Sequence, residues 1–357
     1  MIIFSCIAFV VLSLCLTFSM IDANKKKSIT PQQGFPEYLV APFIDMVSWV
    51  PTSNEYSVNG VANLSRIASE TGIKYYNLGF IRLDDSKPLN SDGSLRWCWG
   101  GYYNLSEQGN DFFQYEGIKA AIYSIRKNGG DVIISVGGQL GVAPWVASTS
   151  VDNIAKMYMD IIETYQLKRI DLDIEESNQG LEENIRNAQA MKIAQDKTGV
   201  EVVLTIPIMP YGWTSTQKNV VNAFLDAGVT IKLINNMTMC YGYSAVPANE
   251  DFADASIRAM SHAADQLVEL YKAHGKTLTR AQTYHMMGAT VDIGYENQYN
   301  PTWTVDLTKK VVQDAQKNKY GMLSFWSVGR DAMIDNNAGI YEKYAHSNAL
   351  KAYMQQM

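Results

Sequence analysis

The sequence predicts an α/β fold in which eight strands close into a single-domain (β/α)8 barrel, the TIM-barrel architecture. Three observations predict it. Strand-like and helix-like stretches alternate without interruption from residue 38 to the end of the chain. About 320 residues are available for them, within the range of such barrels. Neither an internal repeat nor a Ser/Thr-rich stalk nor a second module breaks the pattern.

In chain order, Tyr38–Trp49 reads as the first strand and Gly60–Thr71 as the first helix. Lys74–Ile81 is the second strand, followed by a long loop rich in Gly, Ser and Trp. Helix Glu116–Asn128 stops at Gly129-Gly130, the residue type that ends helices in a left-handed turn. Strand Asp131–Ser135, helix Val151–Tyr165, strand Arg169–Glu175 and helix Leu181–Lys197 come next. Strand Glu201–Ile206, helix Ser215–Ala227, strand Ile231–Met239 and helix Ala253–His274 continue the alternation. A seventh strand is expected near Thr279–Met287 and, after helix Val305–Lys317, an eighth at Gly321–Trp326, with Ile340–Met354 as the closing helix.

Two segments precede the barrel. Ile2–Met20 is nearly all apolar and Ile21-Asp22-Ala23 ends in a small residue, so residues 1–23 are expected to be a secretory signal peptide. The chain is then secreted; the alternative is an uncleaved anchor holding it to a membrane. Residues 24–36 are polar, contain a proline and read as a linker, which leaves 37–357 for the barrel.

Composition narrows the function. Hydrophobic residues make up 47% and charged residues 18% of the chain, enough apolar surface for a full core. A formal charge of −6 argues against nucleic acid as a partner, since that polyanion is met by a basic surface. The four His are scattered and never at ligand spacing, so neither a metal nor a cofactor is expected. Cys6 and Cys15 belong to the leader, and Cys98 and Cys240 are expected to remain free thiols. A monomer is expected.

The chemistry concentrates in Arg169–Glu175. Side chains alternate along a strand, so Asp171, Asp173 and Glu175 share one face while Ile170, Leu172 and Ile174 take the other. An edge strand could turn such a face to water. In a parallel barrel both faces of every strand are covered, and three carboxylates there are expensive unless they do chemistry. Spaced ~7 Å apart at Cα, they cannot all ionise freely, so a proton is shared and at least one pKa rises. Glu175, nearest the C-terminal mouth of the barrel, is the expected general acid.

This strand, with Ser135-Val136-Gly137-Gly138 before it, resembles glycoside hydrolase family 18, the chitinases and their relatives. Ala41-Pro42-Phe43-Ile44-Asp45 resembles that family's first strand, and Asn77-Leu78-Gly79-Phe80-Ile81 its second. Trp99-Gly100-Gly101 resembles the loop that follows. Met237-Thr238-Met239-Cys240-Tyr241-Gly242 resembles the sixth strand and Met322-Leu323-Ser324-Phe325-Trp326-Ser327 the eighth. The resemblance implies hydrolysis of β-1,4 N-acetylglucosamine linkages in chitin with retention and without a protein nucleophile, an exception to the two-carboxylate pattern. Glu175 would protonate the glycosidic oxygen while the substrate's own acetamide attacks. Asp173 would orient that acetamide, with Asp171 sharing a proton behind it.

The resemblance also implies a binding surface for chitin or N-acetylglucosamine oligosaccharides. Trp326 corresponds to the aromatic floor under the cleaved sugar, and Tyr241 to a hydrogen-bond partner of the acetamide. Trp99, Trp213 and Trp145 follow strand ends, where they could line a groove or pack beneath loops; Met239 and Gln139 are further expected contacts. Two residues depart from the family pattern: Lys168-Arg169 replaces an Asp-Gly pair, and Cys240 stands where relatives carry an Asp that helps hold the acetamide. The short stretch Gly288–Thr304 has no room for the small α+β domain that some relatives insert there, so an open groove and endo-type attack are expected. Two other readings share the strand: an endo-β-N-acetylglucosaminidase acting on N-glycans, and a chitin-binding lectin of the same fold.

Overall fold

The computed structural model describes residues 34–48, 50–53, 55–295 and 300–355. The expected leader and most of the linker lie outside them.

Twelve strands are present among the described residues: β1 Leu39–Val40, β2 Phe43–Asp45, β3 Ser57–Val58, β4 Val61–Ala62, β5 Tyr75–Leu83, β6 Trp97–Trp99, β7 Asp131–Gly137, β8 Arg169–Asp173, β9 Glu201–Pro207, β10 Ile231–Met237, β11 Met287–Asp292 and β12 Met322–Trp326. β5, β7, β8, β9, β10, β11 and β12 lie side by side in that order, all parallel. One extended segment closes the ring: β1 pairs with β12, and β2, a few residues later, pairs with β5. A closed parallel sheet has no free edge, and its strands are covered on both sides. Accordingly β7 and β8 are buried along their whole lengths. β6 folds back antiparallel on β5, so the long loop after the second barrel strand is anchored to the wall.

The helices form where apolar spacing and capping allow. α1 Leu64–Thr71, α2 Gln114–Lys127, α3 Pro144–Ala147, α4 Val151–Tyr165, α5 Leu181–Thr198, α6 Ser215–Asp226, α7 Phe252–Ala273, α8 Arg280–His285, α9 Val305–Asn318, α10 Val328–Asp331 and α11 Ala345–Gln355 follow in order. The Arg126 guanidinium, buried at the end of α2, donates to Asp131 Oδ1 on β7 (2.7 Å) and to the Tyr165 carbonyl at the end of α4 (2.7 Å). That buried pair locks two helices to the start of the third barrel strand.

One expected element is corrected. Thr279–Met287 is not the seventh strand: its first part is helix α8, and the strand is β11, Met287–Asp292. Thr279 caps that helix, taking the Gln282 amide N–H while the Gln282 side chain returns to the Thr279 N–H, and the reciprocal cap outweighs the strand-like run of residues. The closing helix also starts later than expected, at Ala345, because Tyr344 adopts a left-handed conformation (φ 60°).

Candidate active site

Hydrogen bonds across the barrel establish which residues face inward. Thr290 Oγ1 donates to Asn235 Oδ1 (2.8 Å), Asn235 Nδ2 to Thr205 Oγ1 (3.0 Å), and Thr205 Oγ1 to Asp171 Oδ1 (2.6 Å). Ser135 Oγ completes the row with a bond to Asp171 Oδ2 (2.6 Å). This polar belt runs through the interior from β7 to β11. The parallel register then assigns Asp173, Thr205 and Asn235 to the same inner side, with Gly288, Thr290, Asp292, Ser324 and Trp326. The chain stays extended past β8: Ile174 N–H bonds the Thr205 carbonyl (2.9 Å) and Glu175 has φ −135° and ψ 171°. Glu175 therefore keeps the parity of Asp171 and Asp173, one step nearer the mouth and half-buried.

Burial governs the charges. Asp171 is fully buried; desolvation pushes its carboxyl up to about 7, against the pull of the Ser135 and Thr205 hydroxyls. Asp173 is driven well above the carboxylate range, by burial first and then by the charges of Glu175 and Asp171. Two of the belt's hydroxyls, Ser135 and Thr205, donate to Asp171 and favour its charged form, while no such donor offsets the burial of Asp173 among the described residues. Asp173 Oδ1 is buried and makes no hydrogen bond among the described residues.

Gly137 holds the neighbouring strand against this pair. It has φ +116°, and a Cβ there would collide with the Asp173 carbonyl. Behind Glu175, Asn178 Nδ2 bonds the Gly138 carbonyl (3.2 Å), while the Asn178 carbonyl accepts from Trp145 Nε1 (3.0 Å) and Asn184 Nδ2 (2.8 Å). The loops after β7 and β8 are thus tied together.

Trp326, half-buried at the top of β12, stacks on Phe80 (ring centroids 5.7 Å) and leans on Phe43 (6.3 Å). Met239 is half-buried and Gln139 exposed, each just past a strand end. The three Trp residues that could line a groove or pack beneath loops are all buried. Trp99 is fully buried with its indole N–H on Tyr165 Oη (2.7 Å), and Trp213 is buried with its N–H on Asn236 Oδ1 (2.8 Å). Each points away from the barrel interior, toward the helical layer. Trp145 is likewise core. The Tyr241 hydroxyl lies against Ser256 on α7 (3.5 Å) and its ring stacks on Phe252.

No disulfide links Cys98, which is buried, and Cys240, which is exposed. Cys240 Sγ lies 3.7 Å from Asp292 Oδ2, and Arg330 Nη1 donates to Asp292 Oδ1 at 2.5 Å. Sequence reasoning missed Thr205, Asn235, Thr290, Asp292 and Arg330. The signal for the first four was a polar side chain at an inward position of an otherwise apolar barrel strand; Arg330 has none. A cavity of about 490 Å³ opens at the other end of the barrel, where the strands begin, lined by Arg169, Glu201, Lys232 and His285 among others. It is remote from the carboxylates.

A closed (β/α)8 barrel with an acidic cluster at its C-terminal mouth defines the class. No family model matches the chain. The chain is 29% identical over 316 residues to a probable bifunctional chitinase/lysozyme of Escherichia coli and 30% identical over 316 residues to Endochitinase 11 of Metarhizium anisopliae. Each match covers 86% of this chain, which spans 32% and 55% of those relatives' lengths. In structure it is similar to the catalytic domain of a hyperthermophilic chitinase from Pyrococcus furiosus, at TM-score 0.73 and 24% identity over 90% of this chain and 97% of that one. A family 18 chitinase from Chromobacterium violaceum matches at TM-score 0.59 and 18% identity over 92% of this chain and 86% of that one. In sequence the chain is similar to these two curated chitinases over most of its length, and in fold to the catalytic barrels of chitinases, one of them of family 18.

Proposed function

We propose that the protein is a chitinase, cleaving β-1,4 N-acetylglucosamine linkages with retention and with the substrate's acetamide as nucleophile. The observation that carries this reading is Asp173: a buried carboxyl between Asp171 and Glu175, held well above the carboxylate range by burial, with Oδ1 making no hydrogen bond among the described residues. An acetamide N–H is the donor such an oxygen accepts, and the bond strengthens as the acetamide carbonyl attacks and its nitrogen gains positive charge. Glu175, at the mouth, delivers a proton to the departing glycosidic oxygen and then takes one from the water that opens the oxazolinium ring. As that positive ring forms, the proton on Asp173 moves back toward Asp171, whose belt of hydroxyls and amides makes this possible. Trp326 carries the sugar on its exposed face. The names of the curated relatives support chitin as the polymer. An extracellular polymer fits export by the 1–23 leader, and one complete barrel fits action as a monomer.

The test is hydrolysis of N-acetylglucosamine oligomers by the purified protein and by Glu175→Gln, with binding measured alongside. We expect turnover in the parent, a loss of about 1,000-fold in the variant, in line with removal of a general acid, and retained binding. Binding without turnover in the parent points to the lectin instead. Equal rates in the two proteins remove Glu175 from its role. Cleavage confined to the core of N-glycans gives the substrate as a glycoprotein.

A further inference from the structure

Asp292 ends β11 on the inner side of the barrel, in register with Trp326 on β12. The parity is secured independently by the bond from Thr290, two residues earlier, to Asn235 inside the belt. Asp292 thus faces the barrel interior from the wall formed by β10, β11 and β12, while Asp173 and Glu175 face it from β8. Arg330, on the short helix directly after β12, clamps Oδ1 and also reaches the Ile293 carbonyl (3.3 Å). This fixes the carboxylate, and the ion pair offsets the cost of burying it at a site that is only 8% exposed. Oδ2 turns the other way, to Cys240, an exposed residue at the rim. An oriented, charged acceptor beside a half-exposed tryptophan is the combination that recognises a sugar: the ring face stacks while a hydroxyl or amide N–H at its edge donates.

We propose that Asp292 is a substrate-binding residue of this site, accepting a hydrogen bond from the N-acetylhexosamine ring that rests on Trp326, with Arg330 as its positioning residue. The inference rests on the hydrolase reading above and adds to it a contact from the seventh barrel strand. It also gives Cys240 a place: a carboxylate at position 240 would stand within a bond's reach of the Asp292 oxygen, so either residue can present an acceptor to the same part of the ring.

The experiment compares the parent, Asp292→Asn and the double variant Cys240→Asp/Asp292→Asn on N-acetylglucosamine tetramers, with melting curves for each. Oligomer binding is also measured with and without Asp292→Asn in a Glu175→Gln background. A charge-assisted bond to substrate predicts about a 10- to 100-fold loss of kcat/KM in Asp292→Asn. It also predicts weaker binding in the Glu175→Gln background and recovery of most of the loss in the double variant. A role in folding alone would lower the melting temperature without changing binding by the folded protein. A folded Asp292→Asn with parental turnover and binding overturns the inference and leaves the hydrolase reading intact. If Asp292→Asn does not fold, the double variant decides: fold and turnover restored together support the inference, and fold restored without turnover overturns it. A parent that neither binds nor cleaves the tetramer overturns both readings.

Discussion

Asp171 and Asp173 tie activity to stability through one proton. Burial holds Asp171 up to about 7 and drives Asp173 well above the usual carboxylate range, whereas in an unfolded chain both would ionise near pH ~3.9. Between those values the folded protein binds more protons than the unfolded one, so this pair's contribution to stability falls as pH rises from 4 through 7. Asp173→Asn removes the ionisation while keeping the shape. We expect it to melt several degrees above the parent at pH 8, with the gap closing toward pH 4, as linkage requires. Thermal unfolding at pH 4, 6 and 8 checks this, and a gap that widens on acidification would contradict it. The same variant loses turnover, since an amide cannot take part in the proton exchange. The acidity of this triplet was legible in the sequence because its spacing is the strand period. Which member receives hydrogen bonds that favour its charge was not: that depends on donors from β7 and β9, which lie 30 or more residues away along the chain.

At the scale of the element, the close meeting of β7 and β8 limits what position 137 can hold. Gly137 combines a left-handed backbone with contact against the Asp173 carbonyl. Gly137→Ala should therefore destabilise by about 2–4 kcal/mol, the sum of backbone strain and overpacking, and should depress turnover beyond its effect on folding. Gly129→Ala is the control: its φ is also positive (+77°), but open space surrounds it, so about 1 kcal/mol is expected and no change in turnover per folded molecule. Denaturant titration with parallel assays measures both, and equal losses in the two variants would refute the close-contact explanation. The Gly137-Gly138 pair was readable in advance as a shaped strand end. The seventh strand was misplaced for a physical reason, since strand-like composition at Thr279–Met287 concealed a reciprocal helix cap.

Across the whole molecule, only residues 293–304 separate β11 from α9, too few to hold a further domain over the mouth. Exposed apolar side chains stand on the loops that leave the strands, Phe112 and Phe113 after β6, Tyr211 after β9, Tyr243 after β10 and Ile334 after β12. The face bearing the carboxylates is thus the one suited to stack on a long sugar chain. We expect a long soluble chitin derivative to lose viscosity well before its reducing ends accumulate, with products of mixed length. Steady release of one short product from chain ends would argue for threading instead.

The sequence by itself determined the barrel, its eight-strand alternation and the acidic strand at its centre, because periodicity and local capping are carried by neighbouring residues. It also located Trp326 at the end of the last strand. Only the tertiary structure decided which aromatic residues are available: Trp99, Trp145, Trp213 and Tyr241 lie at or beyond strand ends, yet all are buried, Trp99 and Tyr241 against helices α4 and α7, Trp213 on Asn236 of β10 and Trp145 on the loop after β8. Closure of the sheet likewise decided the polar belt and the pairing of Asp292 with Arg330 and Cys240. The physical reason is common to these cases. Whether a side chain faces the interior, the helices or water depends on register and on partners distant in sequence, and those relations exist only once the ring has closed.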